Sequence, residues 1–125
     1  MIKGIGLDLQ QVDRVQRALE NERFQQRVYT QSEQNYLASR GAMRAQSAAG
    51  MWAAKEAVLK ALGIGIGQAA LDEIEIGHDD SGAPVARLCG AALARQRALG
   101  VDRVFVSITH EGGFAAAMCV TENLQ

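Results

Sequence analysis

Cysteine, long hydrophobic runs and net charge are scarce in this chain of 125 residues, and each shortage excludes a class of protein. Cys89 and Cys119 are thirty residues apart and match no CxxC motif or histidine spacing, so neither a disulfide framework nor a metal site is expected from them. Their apolar surroundings predict two buried free thiols, as in proteins of a reducing compartment. No run approaches the roughly 18 apolar residues of a membrane-spanning helix.

The start of the chain has no apolar run behind basic residues, so no secretion signal is expected. A net charge of −1 gives no reason to expect a nucleic acid partner. Hydrophobic residues, by contrast, make up 48% of the chain, enough for one domain over 1–125 whose core needs no covalent staples. We therefore expect a soluble, cytoplasmic, single-domain protein with neither a membrane nor a nucleic acid partner.

The charges are distributed unevenly along the chain. Residues 1–45 hold seven basic and five acidic side chains, and the remainder holds six and nine. Four arginines are close together in one short segment: Arg14, Arg17, Arg23 and Arg27. Such a segment is suited to attracting an acidic partner, but a solvated helix face explains it too, and charge alone favours this simpler interpretation.

The first nine residues alternate with a period of two, which predicts a strand. Apolar side chains occupy one face, while Gly4, Gly6 and Asp8 occupy the other. Glycine weakens a strand, so two glycines beside a carboxylate indicate that a backbone or a ligand approaches closely there. A strand that leads into a turn, with Asp8 solvated, explains the pattern equally well.

Helical patterns follow this strand. An apolar stripe with helical spacing begins at Val12, and further helical turns extend to Val28. Thr30 and Glu33 match a capping box and predict a helix over 31–40. A polar connection is expected over 41–46, before a long helix that starts near Ser47 as its N-cap.

The second half of the sequence predicts an antiparallel hairpin, a helix and two final strands. The predicted elements are a strand over 71–76, a strand from Pro84, a helix over 91–99 and strands over 103–110 and 114–120. Turn signals separate them at Asp79–Gly82, at Gly100 and at 111–113. The whole pattern indicates an α+β fold class.

The segment WAAKEAVLKALGIGIG, residues 52–67, combines an apolar helix with charged side chains. The apolar arc of this helix comprises Met51, which directly precedes the segment, and Trp52, Val58, Leu59 and Leu62. Lys55 falls inside this arc and must extend to water or find an anion, since an unpaired buried ammonium is costly. Glu56 and Lys60 are spaced to form a surface ion pair, the simpler interpretation when they are taken alone. Two lysines and a carboxylate at the edge of a core also suit a phosphate with its divalent ion.

Three glycines and a strand end complete the set of candidates. Gly63 fits a helix C-cap, whereas Gly65 and Gly67 suit a loop that follows an extended ligand. The phosphate loops of nucleotide-binding proteins precede a helix, and these glycines follow one, so those motifs are rejected. Ser107 and His110 end a predicted strand without the partner spacing of a catalytic triad, and a lone histidine is more often structural than catalytic.

Four segments, taken in order and spacing, resemble the holo-[acyl-carrier-protein] synthases, the small bacterial 4'-phosphopantetheinyl transferases. They are GIGLDLQQVDRV, RVYTQSE, WAAKEAVLKALGIGIG and VSITHEGGFAAAM. The resemblance covers nearly the whole chain, and it implies a 4'-phosphopantetheinyl transferase fold, with an antiparallel sheet packed against a long central helix and additional N-terminal helices. It further implies transfer of 4'-phosphopantetheine from coenzyme A to a serine of apo acyl carrier protein, in support of fatty acid biosynthesis. Family members are usually homotrimers with active sites between subunits.

The resemblance also implies roles for individual residues. The expected catalytic residues are Asp8, Glu56 and Lys60, of which Asp8 and Glu56 would bind Mg²⁺ and Lys60 would contact the phosphate under attack. The expected coenzyme A contacts are Lys55, Lys60, Gly63, Gly65, Ser107, His110 and Arg44. The acidic carrier protein would dock on Arg14, Arg17, Arg23 and Phe24. The base that takes the serine proton is either Glu56 or a water bound to the carboxylates.

One position departs from the family pattern. Many members carry an arginine directly before the aromatic residue of the catalytic helix, where this chain has Met51. A phosphate contact would then be missing or supplied from elsewhere, with Arg44 as the candidate. This departure keeps open a module that binds coenzyme A or a carrier protein without chemistry. A purely structural domain that forms oligomers, in which Glu56 and Lys60 are only a surface pair, is a third alternative.

Overall fold

The computed structural model describes residues 1–65 and 67–125. Its strands are β1 (Ile2–Gln11), β2 (Ile74–His78), β3 (Pro84–Leu88), β4 (Arg103–Glu111) and β5 (Phe114–Glu122). Its helices are α1 (Val12–Ala18), α2 (Glu22–Val28), α3 (Gln31–Ala38), α4 (Arg44–Ala61) and α5 (Gly90–Ala98), and 3₁₀ turns occupy Gly41–Met43 and Leu71–Glu73. The predicted α+β class is confirmed. Among the described residues, no helix is long and apolar enough to span a membrane.

Strand β5 is the central strand of a three-stranded antiparallel sheet, between β1 and β4, while β2 and β3 form a separate hairpin. Gly112 and Gly113 join β4 to β5 with φ values of 56° and 81°. A two-residue hairpin turn of this kind requires positive φ at both positions, which glycine adopts most easily. The turn is one residue shorter than predicted, because Glu111 still pairs with Phe114.

Helix α4 crosses one face of this sheet and is buried around most of its circumference. A Cβ at Gly6 would overlap the carbonyl oxygen of Ala57, and a Cβ at Gly4 would overlap that of Ala61. The two glycines of β1 therefore allow the backbones of strand and helix to approach closely. Close backbone packing, one of the two explanations that the sequence left open, accounts for them.

The long helix begins at Arg44 rather than near Ser47, and residues expected as a polar connection form the 3₁₀ turn and the first turn of α4. The segment 41–46 contains alanine, methionine, arginine and glutamine, which are good helix formers. The helix is also buried more widely than the predicted apolar arc, because it contacts α1, α3 and β2 as well as the sheet.

The predicted capping box of α3 is confirmed. Thr30 Oγ1 accepts a hydrogen bond from the Glu33 N–H at 3.2 Å, and Glu33 Oε1 accepts one from the Thr30 N–H at 2.8 Å. Helix α3 therefore starts at Gln31, as predicted, and the expected hairpin and helix α5 are also present. The first hairpin strand was predicted over 71–76 but runs over Ile74–His78, because Leu71–Glu73 form a 3₁₀ turn. These elements share local signals that need no distant partner.

The two cysteines differ in their surroundings. Cys119 is buried as predicted, and burial raises the pKa of its thiol to about 12. Cys89 is exposed, so the prediction that both thiols are buried is wrong for this residue. The reason is its place: Cys89 immediately precedes α5, at the surface.

The face of the three-stranded sheet opposite α4 is open and apolar, and we call it the open face. Its large exposed side chains are Ile5, Leu7, Leu9, Phe105, Phe114 and Met118. The register aligns them in rows across the strands, one of which contains Leu7, Met118 and Ser107. Contiguous apolar surface of this kind on a small domain marks an interaction site.

Candidate functional site

A pair of carboxylates lies where β1 meets the C-terminal half of α4, and we call Asp8, Glu56 and Lys60 the acidic site. Lys60 Nζ lies 3.3 Å from Asp8 Oδ1 and donates to the Leu7 carbonyl oxygen at 2.8 Å. The other oxygen, Asp8 Oδ2, accepts a 2.7 Å hydrogen bond from Gln10 Nε2. The Asp8 side chain is 14% exposed, so it is firmly held and still accessible to a ligand.

Glu56 completes the acidic site from α4. Trp52 Nε1 donates to Glu56 Oε1 at 3.3 Å, across one turn of the helix. Burial raises the pKa of Glu56, the hydrogen bond from Trp52 opposes this, and the negative charge of Asp8 raises the pKa further. Such repulsion arises when two carboxylates are neighbours. The structure thus brings Asp8 and Glu56 together, as predicted.

The ion pair of Lys60 differs from the one suggested by helix spacing. Among the described residues, Lys60 pairs with Asp8 rather than with Glu56. Its side chain reaches along the helix to β1, where a carboxylate and a backbone carbonyl oxygen converge on the ammonium. Helix spacing alone could not identify an acceptor on a strand 52 residues earlier.

Lys55 lies in the core, away from the acidic site. Its ammonium donates to Glu33 Oε1 at 2.7 Å, to the Leu71 carbonyl at 3.0 Å and to the Ile74 carbonyl at 2.6 Å. These three bonds use all three ammonium donors. Burial lowers the pKa of Lys55, and the charge of Glu33 opposes that shift. The anion that Lys55 needs is therefore internal, and this geometry does not support the expected coenzyme A contact.

The donors of the acidic site fit a magnesium ion. Mg²⁺ is usually bound by one or two carboxylates and fills its other positions with water and substrate phosphates. Asp8 and Glu56 supply two such carboxylates. Within residues 1–65 and 67–125, no cluster of three acidic, histidine or cysteine side chains forms a closed metal cage. An open two-carboxylate site is what a metal shared with a substrate requires, and binding of Mg²⁺ here stays a prediction.

The glycine segment begins directly after the acidic site. Gly63, with φ of 67°, ends α4, and its N–H donates to the Lys60 carbonyl at 3.1 Å. The Gly65 N–H donates to Gln68 Oε1 at 2.8 Å. Both glycines are exposed, so their backbones are accessible. Their contacts with coenzyme A stay predictions.

His110 and Arg44 lie toward the opposite end of α4. His110 Nε2 is 3.0 Å from the carbonyl oxygen of Gln46, and its ring lies against Gly50. Gly50 precedes Glu56 by six residues, about 9 Å along the helix. Arg44 is the first residue of α4, about 18 Å before Glu56 on the same scale. Within one chain, Arg44 therefore lies apart from the acidic site, and the phosphate contact expected of it stays a prediction.

Ser107 and Met51 also lie outside the acidic site. Ser107 is exposed on the open face, whereas Asp8 lies on the face covered by α4, so the sheet separates them. Met51 is 2% exposed and belongs to the core. One chain thus places the predicted coenzyme A contacts in separate regions rather than in one pocket.

Two of the predicted docking residues, Arg23 and Phe24, line a groove next to the acidic site. Arg14, Arg17 and Arg23 are exposed, while Phe24 is half-buried with its ring centroid 5.0 Å from that of Trp52. The groove has a volume of about 1030 Å³, and its lining includes Arg23, Phe24, Trp52 and residues 67–73. Trp52 both lines the groove and donates to Glu56, so the groove adjoins the acidic site.

Sequence reasoning did not identify Gln10, the indole N–H of Trp52 or the groove. The period of two in β1 places Gln10 on the same face as Asp8, so that pattern could have indicated it. Trp52 precedes Glu56 by four residues, a spacing that also permits contact. The groove had no such signal, because its wall over 67–73 is distant in sequence from α2.

Comparisons with known proteins identify the family of this chain. The profile of the 4'-phosphopantetheinyl transferase superfamily matches residues 4–119. A holo-[acyl-carrier-protein] synthase of Alkaliphilus metalliredigens is 40% identical over 121 residues, which cover 96% of this chain and 98% of that protein.

Solved structures show the same fold. The crystal structure of holo-[acyl-carrier-protein] synthase from Neisseria meningitidis superposes with a TM-score of 0.89 at 32% identity, covering 98% of this chain and 100% of that one. The Bacillus anthracis synthase, solved in complex with CoA (3',5'-ADP), gives a TM-score of 0.82 at 34% identity and covers 98% of both chains. With the family profile and the close relative, these matches establish that the chain belongs to the holo-[acyl-carrier-protein] synthase family of the 4'-phosphopantetheinyl transferase superfamily.

Proposed function

We propose that this chain is a magnesium-dependent holo-[acyl-carrier-protein] synthase that serves fatty acid biosynthesis. It transfers 4'-phosphopantetheine from coenzyme A to a serine of apo acyl carrier protein and releases adenosine 3',5'-bisphosphate. The observation that carries this proposal is the meeting of Asp8, Glu56 and Lys60 at one point between β1 and α4. Family membership indicates which substrates the chain uses, and the acidic site provides the side chains that the reaction needs.

Phosphoryl transfer requires positioning and charge stabilisation more than covalent help from the protein. Asp8 and Glu56 would hold Mg²⁺, which would neutralise charge on the pyrophosphate of coenzyme A. Lys60, with its side chain 54% exposed, would contact the phosphate under attack and stabilise its developing charge. The serine oxygen forms a bond to the phosphorus that carries pantetheine, the bond to the bridging oxygen breaks, and adenosine 3',5'-bisphosphate leaves.

The proton of the attacking serine goes to Glu56 or to a water held by the two carboxylates. The exposed arginines Arg14, Arg17 and Arg23 would bring the acidic carrier protein to this point by electrostatic attraction, with Phe24 as an apolar contact.

The test is an incubation with apo acyl carrier protein, coenzyme A and Mg²⁺, read by intact-mass spectrometry. The wild-type chain adds the mass of 4'-phosphopantetheine, and Asp8→Ala and Glu56→Ala each reduce the rate by about 10²-fold or more while the circular dichroism spectrum is unchanged. Asp80→Ala, which removes an exposed acid at the hairpin turn, serves as the matched control. Normal transfer by both acidic-site variants would contradict the proposal.

The active enzyme in this proposal is a homotrimer whose sites lie between subunits. Two observations support it: the open face is apolar, and Ser107 and His110 lie away from the acidic site of their own chain. In an assembly of several copies, a neighbouring chain would supply these residues to the acidic site of the first chain. The groove, together with Gly63 and Gly65, would then border a site to which two subunits contribute residues.

Mixing two inactive variants tests the shared site. Glu56→Ala lacks an acid, and His110→Ala lacks the histidine that a neighbour would supply. After unfolding and refolding together in equal amounts, about one quarter of the sites regain both residues if each site uses two chains. No recovery of transfer above the separate variants would contradict a site between subunits.

A cytoplasmic location is part of the same proposal. Cys89 and Cys119 are free, and Cys89 is exposed. An exposed free thiol persists in the reducing cytoplasm and is readily oxidised outside it.

One observation favours a second candidate, a module that binds coenzyme A or carrier protein without chemistry. Met51 stands buried where many family members have an arginine, so one phosphate contact is absent from this position. Calorimetry with coenzyme A in the presence and absence of Mg²⁺, run beside the mass experiment, separates the two functions. Binding of coenzyme A without modification of the carrier protein would favour the second.

A further inference from the structure

Gln10 connects the acidic site to helix α1. It lies on the inward face of β1 and is 6% exposed. Its Nε2 donates to Asp8 Oδ2 at 2.7 Å, and its Oε1 accepts a hydrogen bond from Arg14 Nη2 at 3.3 Å. Both ends of the amide are therefore engaged, one by the acidic site and one by an exposed arginine.

The carboxylate of Asp8 is held from two sides. Lys60 occupies part of Oδ1, and Gln10 occupies part of Oδ2. An ionised carboxylate has about four lone-pair positions, so roughly two stay available for a cation. Rotation of the carboxylate would disturb both hydrogen bonds, and its orientation is therefore fixed before any ligand arrives.

The partners of Gln10 also determine which way its amide points. A guanidinium only donates hydrogen bonds, and an ionised carboxylate only accepts them. The amide oxygen must therefore face Arg14, and the amide nitrogen must face Asp8. A neutral amide is well suited to this task, because it orients the carboxylate without bringing a positive charge that would repel a metal ion.

We propose that Gln10 is a positioning residue: its side chain holds Asp8 in the orientation that binds the divalent cation. Arg14 in turn fixes the orientation of the Gln10 amide. This inference rests on the proposed magnesium-dependent function. Partners that orient a metal-binding side chain typically change metal affinity by about 10–100-fold when they are removed. Gln10 meets the geometric condition for such a partner, since its hydrogen bond ends on a carboxylate oxygen of the acidic site.

The test variant is Gln10→Met, which keeps the length of the side chain and removes both hydrogen bonds. Binding of Mn²⁺, followed by the electron paramagnetic resonance of the free ion in the presence of adenosine 3',5'-bisphosphate, measures the metal site without turnover. We expect affinity to fall by about 10–100-fold. The half-saturating Mg²⁺ concentration for transfer rises correspondingly, whereas kcat at saturating Mg²⁺ and the KM for carrier protein change little.

A purely structural role predicts a different result. Gln10→Met would then lower the melting temperature and reduce kcat at every Mg²⁺ concentration, without changing the half-saturating concentration. Gln31→Met is the matched control, because it removes an exposed glutamine hydrogen bond to Asn35 on α3. This control is expected to bind Mn²⁺ like the wild type.

A second variant protects the test against misfolding. Arg14→Met changes an exposed side chain and frees the Gln10 amide to rotate, so we expect an intermediate loss of Mn²⁺ affinity. Affinity within about twofold of wild type in Gln10→Met, or in Arg14→Met if Gln10→Met does not fold, would overturn the inference. Asp8→Ala distinguishes a failure of the positioning role from a failure of the metal site. If this variant also binds Mn²⁺ normally, the proposed metal site itself is wrong.

Discussion

Single side chains fix the geometry of the acidic site. Asp8 is held by Lys60 and Gln10, and Glu56 is held by Trp52. Side chains that are already ordered lose less conformational freedom when a ligand binds, so the binding free energy is reduced less by that cost. Two of the three partners, Gln10 and Trp52, are neutral donors, which orient carboxylates and leave their negative charge available.

The indole N–H of Trp52 offers a direct test of this arrangement. Trp52→Phe keeps an aromatic ring against Phe24 and removes the hydrogen bond to Glu56. At 3.3 Å this bond is long, so we expect a loss of about 0.5–1.5 kcal/mol, or roughly two- to tenfold in kcat/KM. Steady-state kinetics of carrier protein modification measures it.

The control for this variant is Tyr36→Phe on α3. It removes a polar atom from an aromatic side chain that packs against His78 of β2. Its kcat/KM is expected to equal that of the wild type. If Trp52→Phe also shows wild-type kinetics, the hydrogen bond to Glu56 has no part in positioning the carboxylate.

At the scale of elements, the buried ion pair of Lys55 and Glu33 joins three parts of the fold. Glu33 caps α3, accepts from Lys55 of α4 at 2.7 Å and accepts from the Ile76 N–H of β2 at 2.7 Å. Both side chains are almost fully buried. The pair therefore fixes the position of α4 against the hairpin, one residue before Glu56.

Removing one partner of this pair is expected to be strongly destabilising. Lys55→Met leaves the Glu33 carboxylate buried without its cation, and we expect the free energy of unfolding to fall by about 3–5 kcal/mol. Urea denaturation measures this loss. Arg103→Met, which breaks an exposed pair with Glu122 at 3.8 Å, is the control and is expected to cost at most about 1 kcal/mol. Equal losses in the two variants would contradict the special role of the buried pair.

The packing of β1 on α4 depends on Gly6. Gly6→Ala places a methyl group against the Ala57 carbonyl, so strand and helix must separate, and we expect about 1–3 kcal/mol of destabilisation together with reduced transfer. Gly77→Ala is the control, since nothing lies within 4 Å of its added Cβ. Thermal melts and the mass assay report both effects. A fully stable and active Gly6→Ala would show that the close approach is not required.

These elements also show how far the sequence alone could lead. Local signals were sufficient for the capping box of α3 and for the glycine hairpin turn, because every partner lies within a few residues. The pairing of Glu56 with Asp8 was predicted from the family resemblance, since the motif around Glu56 by itself suggested only a surface pair with Lys60. The partner of Lys55 was not predictable, because Glu33 lies 22 residues away. The sequence indicated Glu33 only as a capping residue of α3, not as the partner of a buried lysine.

At the scale of the whole molecule, two observations support the proposed association of several copies. One is the apolar open face, and the other is the separation of the predicted coenzyme A contacts within one chain. The strand pattern of β1 shows one apolar face and one glycine face, yet the glycine face is the one packed on α4. Hydrophobicity alone would assign the core to the wrong side. The proposed association of several copies would cover this apolar surface and would bring together predicted coenzyme A contacts that one chain keeps apart.

A single charge on the open face tests this association. Met118 is 49% exposed in the central strand β5, in the row with Leu7 and Ser107. Met118→Lys would bury an unpaired ammonium at the subunit interface, so we expect monomers in sedimentation experiments at micromolar concentration and loss of transfer. The fold of each chain should persist, because the substituted side chain points away from α4.

Val85→Lys, on the separate hairpin, is the matched control, since it places the same charge on another exposed apolar position. It is expected to stay trimeric and active. The two readouts of Met118→Lys distinguish the remaining cases: an active monomer would show that one chain suffices for transfer, and an intact trimer would show that the subunits meet elsewhere. Loss of both trimer and transfer, with a wild-type circular dichroism spectrum, is the outcome required if subunits that associate through the open face share the active site.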